Sequence, residues 1–370
     1  MSDIPLSLYL HFPWCEKKCP YCDFNSHEVG NTFPEDEYVE SLLMDLDLES
    51  QAETRAIRSV FFGGGTPSLF SADSISRILA HTRTQLPLDE GVEITLEANP
   101  GAIDNTRITG FRRAGVNRLS LGVQSFDDEK LGQLGRIHSA ADARDAFQQA
   151  RGAGFNNINL DLMHGLPGQT WREAEFDLQQ AISLAPEHIS WYQLTIEPNT
   201  IFYNKPPRLP VEETLVDIYE RGMQLLADNN YARYEISAFA RPGRQSVHNQ
   251  NYWRFGDYLG IGAGAHGKLT VEDKIYRTTK TRLPKDYMAG SNRKMLPVAP
   301  EEIPLEFLMN ALRLTDGVDL TLFENRTFHS VQSIKPFLER AQQSGFLSST
   351  YDIKPTALGL QFVDEMLLLV

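Results

Sequence analysis

The strongest constraint on the fold is a repeated alternation of short apolar strands with amphipathic helices. The strands are rich in branched or aromatic residues, and a strand that always alternates with a helix predicts a parallel sheet with right-handed crossovers. The sequence therefore predicts an α/β protein. The predicted strands are Leu6–Phe12, Ser59–Phe62, Val92–Glu97, Arg118–Val123, Asn157–Leu162 and Ile189–Thr195, and the predicted helices are Glu37–Glu49, Ser74–Leu86, Asp104–Ala114, Ala140–Ala153, Trp171–Leu184 and Glu212–Asn229.

The charge, the apolar runs and the cysteine content of the chain argue against several classes of function. The chain of 370 residues carries 35 basic and 49 acidic residues, a net charge of −14, which argues against broad nucleic-acid binding. No apolar run is long enough for a transmembrane helix, and the opening Met1-Ser2-Asp3-Ile4 lacks the basic stretch and apolar core of a signal peptide. Clustered cysteines without obvious disulfide partners fit a reducing compartment. We therefore predict a cytoplasmic protein.

All three cysteines of the chain, Cys15, Cys19 and Cys22, fall within eight positions. Three thiolates suit a soft metal centre, whereas a full cysteine set for a 4Fe–4S cluster would be four. One iron would then be open, water-bound or held by another kind of ligand, and an open position is typical of catalytic metal sites. Two alternatives stay open: buried cysteines without metal, or a zinc knuckle completed by His11 or His27.

The segment around these cysteines resembles the opening of the radical S-adenosylmethionine (SAM) proteins. Within them it is similar to the oxygen-independent coproporphyrinogen III oxidase-like family, and in particular to its heme-chaperone branch. The resemblance implies a 4Fe–4S cluster on the three cysteines, with the amino and carboxylate groups of SAM on the open iron. The segment reads Tyr9-Leu10-His11-Phe12-Pro13-Trp14-Cys15-x3-Cys19-Pro20-Tyr21-Cys22-Asp23-Phe24.

The same resemblance refines the fold to a partial (β/α)6 TIM-like barrel, open on one side, with a small C-terminal winged-helix-like domain. Residues 1–235 are predicted to form the barrel with the cluster and SAM sites, and residues 236–300 to form strands and loops that cover its open side. Residues 301–370 are predicted to form the C-terminal domain, in which Leu305, Leu308, Met309 and Leu312 make an apolar stripe of its core.

Several residues at predicted strand ends are candidates for binding SAM. A glycine-rich turn, Gly63-Gly64-Gly65-Thr66, follows the second strand and lets the backbone approach a ligand through free amide and carbonyl groups. Polar residues close the next three strands, as a ligand ring at a barrel mouth requires; the alternatives are a tight turn and structural carboxylates. The resemblance adds two tyrosines, Thr195, His266 and an arginine whose fork suits a carboxylate, for which a surface salt bridge is the alternative. The predicted SAM site is Tyr9, Tyr21, Gly64, Gly65, Thr66, Glu97, Gln124, Arg136, Asp161, Thr195 and His266.

Two features separate the chain from the coproporphyrinogen enzymes. Phe24 stands where those enzymes carry a further cysteine, which puts oxidative decarboxylation in doubt. The segment from His248 to Trp253 resembles a heme-associated motif of the chaperone branch, and an imidazole beside aromatic rings can ligate and stack on heme. The alternative is that His248 only hydrogen-bonds in a loop while Tyr252 and Trp253 pack the barrel rim.

These features predict a protein of porphyrin metabolism that binds heme and passes it to an acceptor haemoprotein, using a SAM-ligated cluster that needs an electron donor. The alternative is a radical SAM enzyme that acts on a tetrapyrrole such as coproporphyrinogen III. The sequence assigns no catalytic residue. It leaves open the acceptor, the axial heme ligand, whether SAM is cleaved and whether the chain forms a homodimer.

Overall fold

A computed structural model describes residues 4–30, 33–51, 53–290 and 293–370, so that Met1, Ser2 and Asp3 of the opening segment lie outside it. Its largest feature is one mixed sheet, in which twelve strands of the described chain are hydrogen-bonded in the order β12-β11-β10-β9-β1-β2-β3-β4-β5-β6-β8-β7. These strands are β1 Leu6–Phe12, β2 Ile57–Gly64, β3 Leu88–Ala98, β4 Arg118–Gln124, β5 Ile158–His164, β6 His188–Gln193, β7 Ala232–Glu235, β8 Ala238–Ala240, β9 Asp257–Ile261, β10 His266–Val271, β11 Lys274–Thr279 and β12 Lys294–Pro297.

The helices connect these strands and complete the C-terminal part. The described residues also include three short 3₁₀ turns, at Pro67–Leu69, Pro100–Ala102 and Val331–Ser333. The helices of the described ranges are α1 Glu35–Ser50, α2 Ala72–Gln85, α3 Asn105–Ala114, α4 Asp128–Gln133, α5 Ala140–Gly152, α6 Trp171–Leu184, α7 Ile201–Asn204, α8 Glu212–Asp228, α9 Val247–Trp253, α10 Pro284–Met288, α11 Ile303–Ala311, α12 Leu320–Thr327, α13 Lys335–Gln343, α14 Ala357–Gln361 and α15 Val363–Leu367. None is long and apolar enough to cross a membrane.

The predicted alternation of strands and helices is confirmed. β1 to β6 are the six predicted strands, and they lie side by side, parallel and in chain order. Apolar side chains are buried on both faces of these strands, as is expected for parallel strands that helices cover. The sheet does not close on itself, because β7 and β12 form its two edges, so the predicted partial barrel with an open side is the observed fold.

Local sequence signals explain where the helices begin and end. Ser139 and Asp142 form a reciprocal capping box at the start of α5, which satisfies backbone amides that the first turn leaves free. Gly115, with a φ of 116°, ends α3 in the left-handed conformation that glycine adopts without strain. These caps account for the close match between the predicted and observed helix boundaries.

The middle segment differs from its predicted role as a cover. β9 pairs in parallel with β1, from Leu6 opposite Asp257 to Leu10 opposite Ile261, and so supplies a seventh parallel strand. β10 to β12 continue that edge in antiparallel fashion, while β8 and β7 extend the other edge beyond β6. The segment thus lengthens the sheet at both edges, and α9 packs against β1 and β2.

A second apolar core holds the C-terminal helices together. Phe307, Phe323 and Phe337 are buried at its centre, and a two-stranded sheet of Val318–Asp319 with Asp352–Ile353 lies beside them. The predicted stripe on α11 is only half right: Leu308 and Leu312 are buried, whereas Leu305 and Met309 are 38% and 52% exposed. Phe307 and Ala311 take part in the buried face instead, because the contact with the neighbouring helices is rotated relative to the stripe. The three domain boundaries stay a prediction.

Candidate cluster and cofactor site

The cysteine segment leaves the carboxyl end of β1 between two glycine-rich loops. One loop, Gly63–Gly65, lies at the carboxyl end of β2, and the other, Gly262–Gly264, follows β9, so each comes from a strand that neighbours β1. A small parallel sheet of Trp14–Cys15 with His27–Glu28 closes the base of the cysteine segment. The site is therefore built at the carboxyl edge of the parallel strands, where the predicted fold puts it.

The first glycine-rich loop holds the cysteine segment by backbone contacts. The Gly65 amide donates to the Phe12 carbonyl at 2.7 Å, and the Thr66 amide donates to the Trp14 carbonyl at 2.7 Å. A Cβ atom at Gly65 would lie 2.5 Å from the Trp14 carbonyl oxygen. The Gly64 amide donates to Glu97 Oε2 at 3.1 Å. The Gly64, Gly65 and Thr66 amides, expected to be free for a ligand, are thus used within the protein. Glycine is required at position 65 because the cysteine segment itself fills the space.

The three cysteines are free thiols of intermediate burial. Burial raises the pKa of the Cys15 thiol and the other two cysteines add to this, while a hydrogen bond with Thr66 opposes it. In the described ranges no group of three or more His, Cys, Asp or Glu side chains is arranged to hold a single metal ion. A 4Fe–4S cluster does not need such a group, because each cysteine binds a different iron. Partly buried thiols on one short loop fit that cluster.

His11 is not arranged to complete a zinc site. Its Nε2 bonds to the Asn25 carbonyl oxygen at 2.9 Å, and its Nδ1 bonds to the Tyr9 hydroxyl at 3.0 Å. Both ring nitrogens are thus occupied by protein partners. Asn25 also donates to the carbonyls of Ala263 and Arg282 at 3.0 Å, which ties the cysteine segment to the second glycine-rich loop.

Arg136 faces the cluster loop rather than a surface carboxylate. Its Nη1 donates to Cys19 Sγ at 3.5 Å and its Nη2 donates to the Gly122 carbonyl at 2.8 Å, while its buried Nε has no hydrogen-bond partner among the residues that the structure describes. The ring of Tyr21, beside Cys22, packs at 6.4 Å from that of Phe202. A guanidinium that reaches a cysteine sulfur and keeps one buried donor unused fits an anionic cluster and an anionic ligand group.

Two neighbouring carboxyl groups stand on β3 and β5. Glu97 is the next-to-last residue of β3, whereas Asp161 lies in the middle of β5, which continues to His164, so Asp161 does not close its strand as predicted. Burial and the nearby Asp161 raise the pKa of Glu97 to about 8, against the opposing effects of the Gly64 amide and Arg118. Burial also raises the pKa of Asp161, which accepts hydrogen bonds from Ser120 Oγ and Asn159 Nδ2, both at 2.9 Å. A cationic ligand would favour the ionised carboxylates. SAM, with an ammonium and a sulfonium group, is such a ligand.

Gln124 ends β4 in a strained conformation. Its φ of 70° is unusual for a residue other than glycine. The following turn is held by Asp177 of α6, a residue that the sequence analysis missed. The Asp177 carboxylate accepts from Ser125 Oγ at 2.8 Å and from the Phe126 amide at 2.6 Å. Strain at a strand end is typical of ligand sites.

A cavity of about 990 Å³ opens beside the cysteine segment. Four of the predicted SAM residues line it: Tyr9, Gly64, Glu97 and His266. Thr195 is exposed beyond the end of β6 and is not among the lining residues. A second cavity of about 580 Å³ adjoins the first, and both are lined by Phe24, Asn25 and Arg282. The complete lining of the larger cavity is Tyr9, His11, Phe24, Asn25, Gly64, Glu97, Tyr252, Tyr258, Gly264, His266, Thr279, Lys280, Thr281, Arg282 and Lys294.

His248 lies behind the cavity wall and not at its surface. It is 2% exposed, and its ring stacks on Phe61 with centroids 4.7 Å apart. Its Nδ1 is 2.9 Å from Ser59 Oγ and its Nε2 is 3.0 Å from the Tyr252 hydroxyl. Burial and Arg118 lower the pKa of His248 to about 3. With both nitrogens hydrogen-bonded, this geometry favours a structural role over the predicted axial ligation of heme.

Comparisons with known proteins show which family models and which solved structures this chain matches. The model of the Radical SAM superfamily matches residues 9–181, and that of the HemN C-terminal domain matches residues 298–362. The structure of the coproporphyrinogen III oxidase HemN from Escherichia coli, a radical SAM enzyme, has a TM-score of 0.84 and covers 99% of this chain and 90% of its own. At 23% identity, that likeness shows the fold. A radical SAM domain binds a 4Fe–4S cluster and SAM, so the prediction of these two cofactors is confirmed.

Curated relatives extend the match to nearly the whole chain. The heme chaperone HemW of Escherichia coli (strain K12) is 50% identical over 367 residues, which are 98% of this chain and 97% of the relative. The heme chaperone HemW of Bacillus subtilis (strain 168) is 37% identical over 343 residues, 89% of each chain. The protein therefore belongs to the heme chaperone HemW family of radical SAM proteins.

Proposed function

We propose that this protein binds heme and passes it to an acceptor haemoprotein, with a SAM-ligated 4Fe–4S cluster beside the heme site. The observation that carries the proposal is the 50% identity, over 98% of the chain, to a relative named for heme chaperoning. Phe24 supports the same function, because a phenyl ring at that position can supply neither sulfur nor a proton to a substrate.

In the proposed site, Cys15, Cys19 and Cys22 hold three irons of the cluster and leave the fourth for SAM. The Arg136 guanidinium, 3.5 Å from Cys19 Sγ, stabilises that thiolate by a charge-assisted hydrogen bond. When bound and reduced, the cluster would supply the one electron that splits SAM into methionine and a 5′-deoxyadenosyl radical.

The protein's own groups would orient SAM. Glu97 and Asp161 hold the ammonium and sulfonium end by charge, and Gln124 adds an amide at the next strand end. The Gly64, Gly65 and Thr66 loop contributes carbonyl oxygens, since its amides are already bonded. Tyr9, Tyr21 and Thr195 complete the proposed set.

The proposal also covers the division of the chain into domains, its binding partners and its cellular location. We retain residues 1–235 as the cluster- and SAM-binding unit, 236–300 as the segment that carries the heme motif, and 301–370 as the C-terminal domain. The partners are an electron donor for the cluster and an acceptor haemoprotein, with no nucleic acid, since the net charge is −14. Free cysteines support a cytoplasmic location.

One anaerobic experiment tests the function. The full-length protein is reconstituted with iron and sulfide, and heme is titrated in one series while coproporphyrinogen III, SAM and a reductant are added in another. We expect saturable heme binding and no protoporphyrinogen IX. Conversion of coproporphyrinogen III well above a Cys19→Ala control would instead establish the tetrapyrrole enzyme.

A further inference from the structure

We infer that heme binds in the part of the larger cavity lined by Phe24, Tyr252 and Tyr258, with the His266 imidazole on its iron and with Arg282 and Lys294 on its carboxylates. Tyr9, Gly64 and Glu97 of the same cavity stay assigned to SAM. This inference rests on the proposed function and assigns His266 to heme instead of SAM. A heme site needs an apolar wall, an available imidazole and cations for two propionate groups. All three requirements meet at this cavity.

The apolar wall is aromatic. Tyr252 and Tyr258 line the cavity and pack edge to face, with ring centroids 4.5 Å apart. Phe24 stands at the boundary of the two cavities and is 61% exposed, so its ring is available to a ligand. A flat apolar ligand against these rings would shield Phe24 from water. The cavity volume of about 990 Å³ lies at the upper end of ordinary ligand sites.

Of the two histidines that line the larger cavity, only His266 has a ring without a hydrogen bond among the described residues. His11 bonds through both nitrogens, and so does His248. His266 is an exposed side chain on the cavity rim, at the first residue of β10. Its backbone position is fixed by pairing with Thr279 of β11. A rigid strand thus presents a free imidazole to the cavity.

Of the cationic side chains that line the larger cavity, one is paired with carboxylates of the described residues and two are not. Lys280 is buried and paired with Asp45 and Glu49. Arg282 and Lys294 are exposed, and neither has a carboxylate partner among the ion pairs of the described residues. Both side chains line the larger cavity, so two cations that no carboxylate of the described residues neutralises stand at the same cavity. Two such cations match the two carboxylates of heme.

The test is an anaerobic heme titration of the full-length protein, read from the Soret band and from the number of hemes bound per chain. The variants are His266→Ala, Arg282→Gln and Lys294→Gln. The matched controls are His81→Ala on α2, where the wild-type ring pairs with Asp47 of α1, and Arg58→Gln, at an exposed arginine 3.7 Å from Asp89.

We expect His266→Ala to shift the Soret band and added imidazole to restore it. Loss of a hydrogen bond to a charged group should weaken heme binding about 10-fold or more in Arg282→Gln and Lys294→Gln. The controls should match the wild type. Folding of each variant is checked by its unfolding midpoint, and the imidazole rescue in His266→Ala does not depend on equal stability.

The outcomes distinguish a failure of the proposed function from a failure of the proposed heme site. If the wild-type protein binds no heme, the proposed function itself fails. If the wild type binds one heme but all three cavity variants keep its spectrum and affinity, the function stands and the site is wrong. A Soret shift in His248→Ala without one in His266→Ala would also overturn the site.

Discussion

Gly65→Ala should destabilise the protein even when no cofactor is bound. The new methyl carbon would lie 2.5 Å from the Trp14 carbonyl oxygen and 2.8 Å from that of Phe12, and both are backbone atoms that cannot rotate away. Overpacking of this kind costs about 1–3 kcal/mol. Stretching the two 2.7 Å hydrogen bonds of the loop would cost about 1 kcal/mol each. We therefore expect a loss of about 3–5 kcal/mol, a large part of a typical stability of about 5–15 kcal/mol.

The assay is urea unfolding of the cluster-free protein, followed by iron content after anaerobic reconstitution. Gly132→Ala is the matched control, since a methyl group there would meet no atom within 4 Å, and helix propensity predicts a gain of up to about 1 kcal/mol. We expect Gly65→Ala to unfold at lower urea and to retain less iron. Unchanged stability of the cluster-free protein, with only SAM binding lost, would show that Gly65 makes room for the ligand and that the packing argument is wrong.

Two further predictions concern buried charges. Burial raises the pKa of Asp177 to about 7 from 3.8, so the folded state holds this proton more tightly than the unfolded state does. The free energy of unfolding should therefore fall by up to about 4 kcal/mol as the pH rises from 3.8 to about 7. Asp177→Asn should flatten this part of the curve of stability against pH, and an unchanged slope would refute the pKa shift. Lys280→Met should lower the free energy of unfolding by about 3–5 kcal/mol, because it leaves buried Asp45 without its cation. Lys335→Met removes an exposed pair with Glu339 and should change the free energy of unfolding by less than about 1 kcal/mol. Equal effects of the two changes in urea unfolding would contradict this argument from burial.

The regular part of the fold could be predicted because its signals are local. β1 and α6 have the predicted bounds, Leu6–Phe12 and Trp171–Leu184, since apolar periodicity and capping residues lie within each element. β9 was missed as a parallel strand because its pairing with β1 joins residues about 250 positions apart. No short stretch of sequence carries that information.

The site was predictable to a similar degree. Polar residues at strand ends could be grouped because parallel strands bring their carboxyl ends to one edge. The burial of His248 could not be predicted, because it depends on Ser59 and Phe61 of a distant strand. The unpaired state of Arg282 and Lys294 is likewise set by where acidic side chains fall in three dimensions. Asp177 was missed because it acts through Ser125 and Phe126 and lies on a helix, away from the strand ends.

The most direct test of the account is the electron paramagnetic resonance spectrum of the reduced, reconstituted protein with and without SAM. Both the site and the proposed function depend on three cysteines that leave one iron of a 4Fe–4S cluster open to SAM. The account predicts a 4Fe–4S signal that changes when SAM is added and that is lost in Cys15→Ala, Cys19→Ala and Cys22→Ala. A signal that stays the same with SAM, or a protein that takes up stoichiometric zinc and no iron, would contradict it.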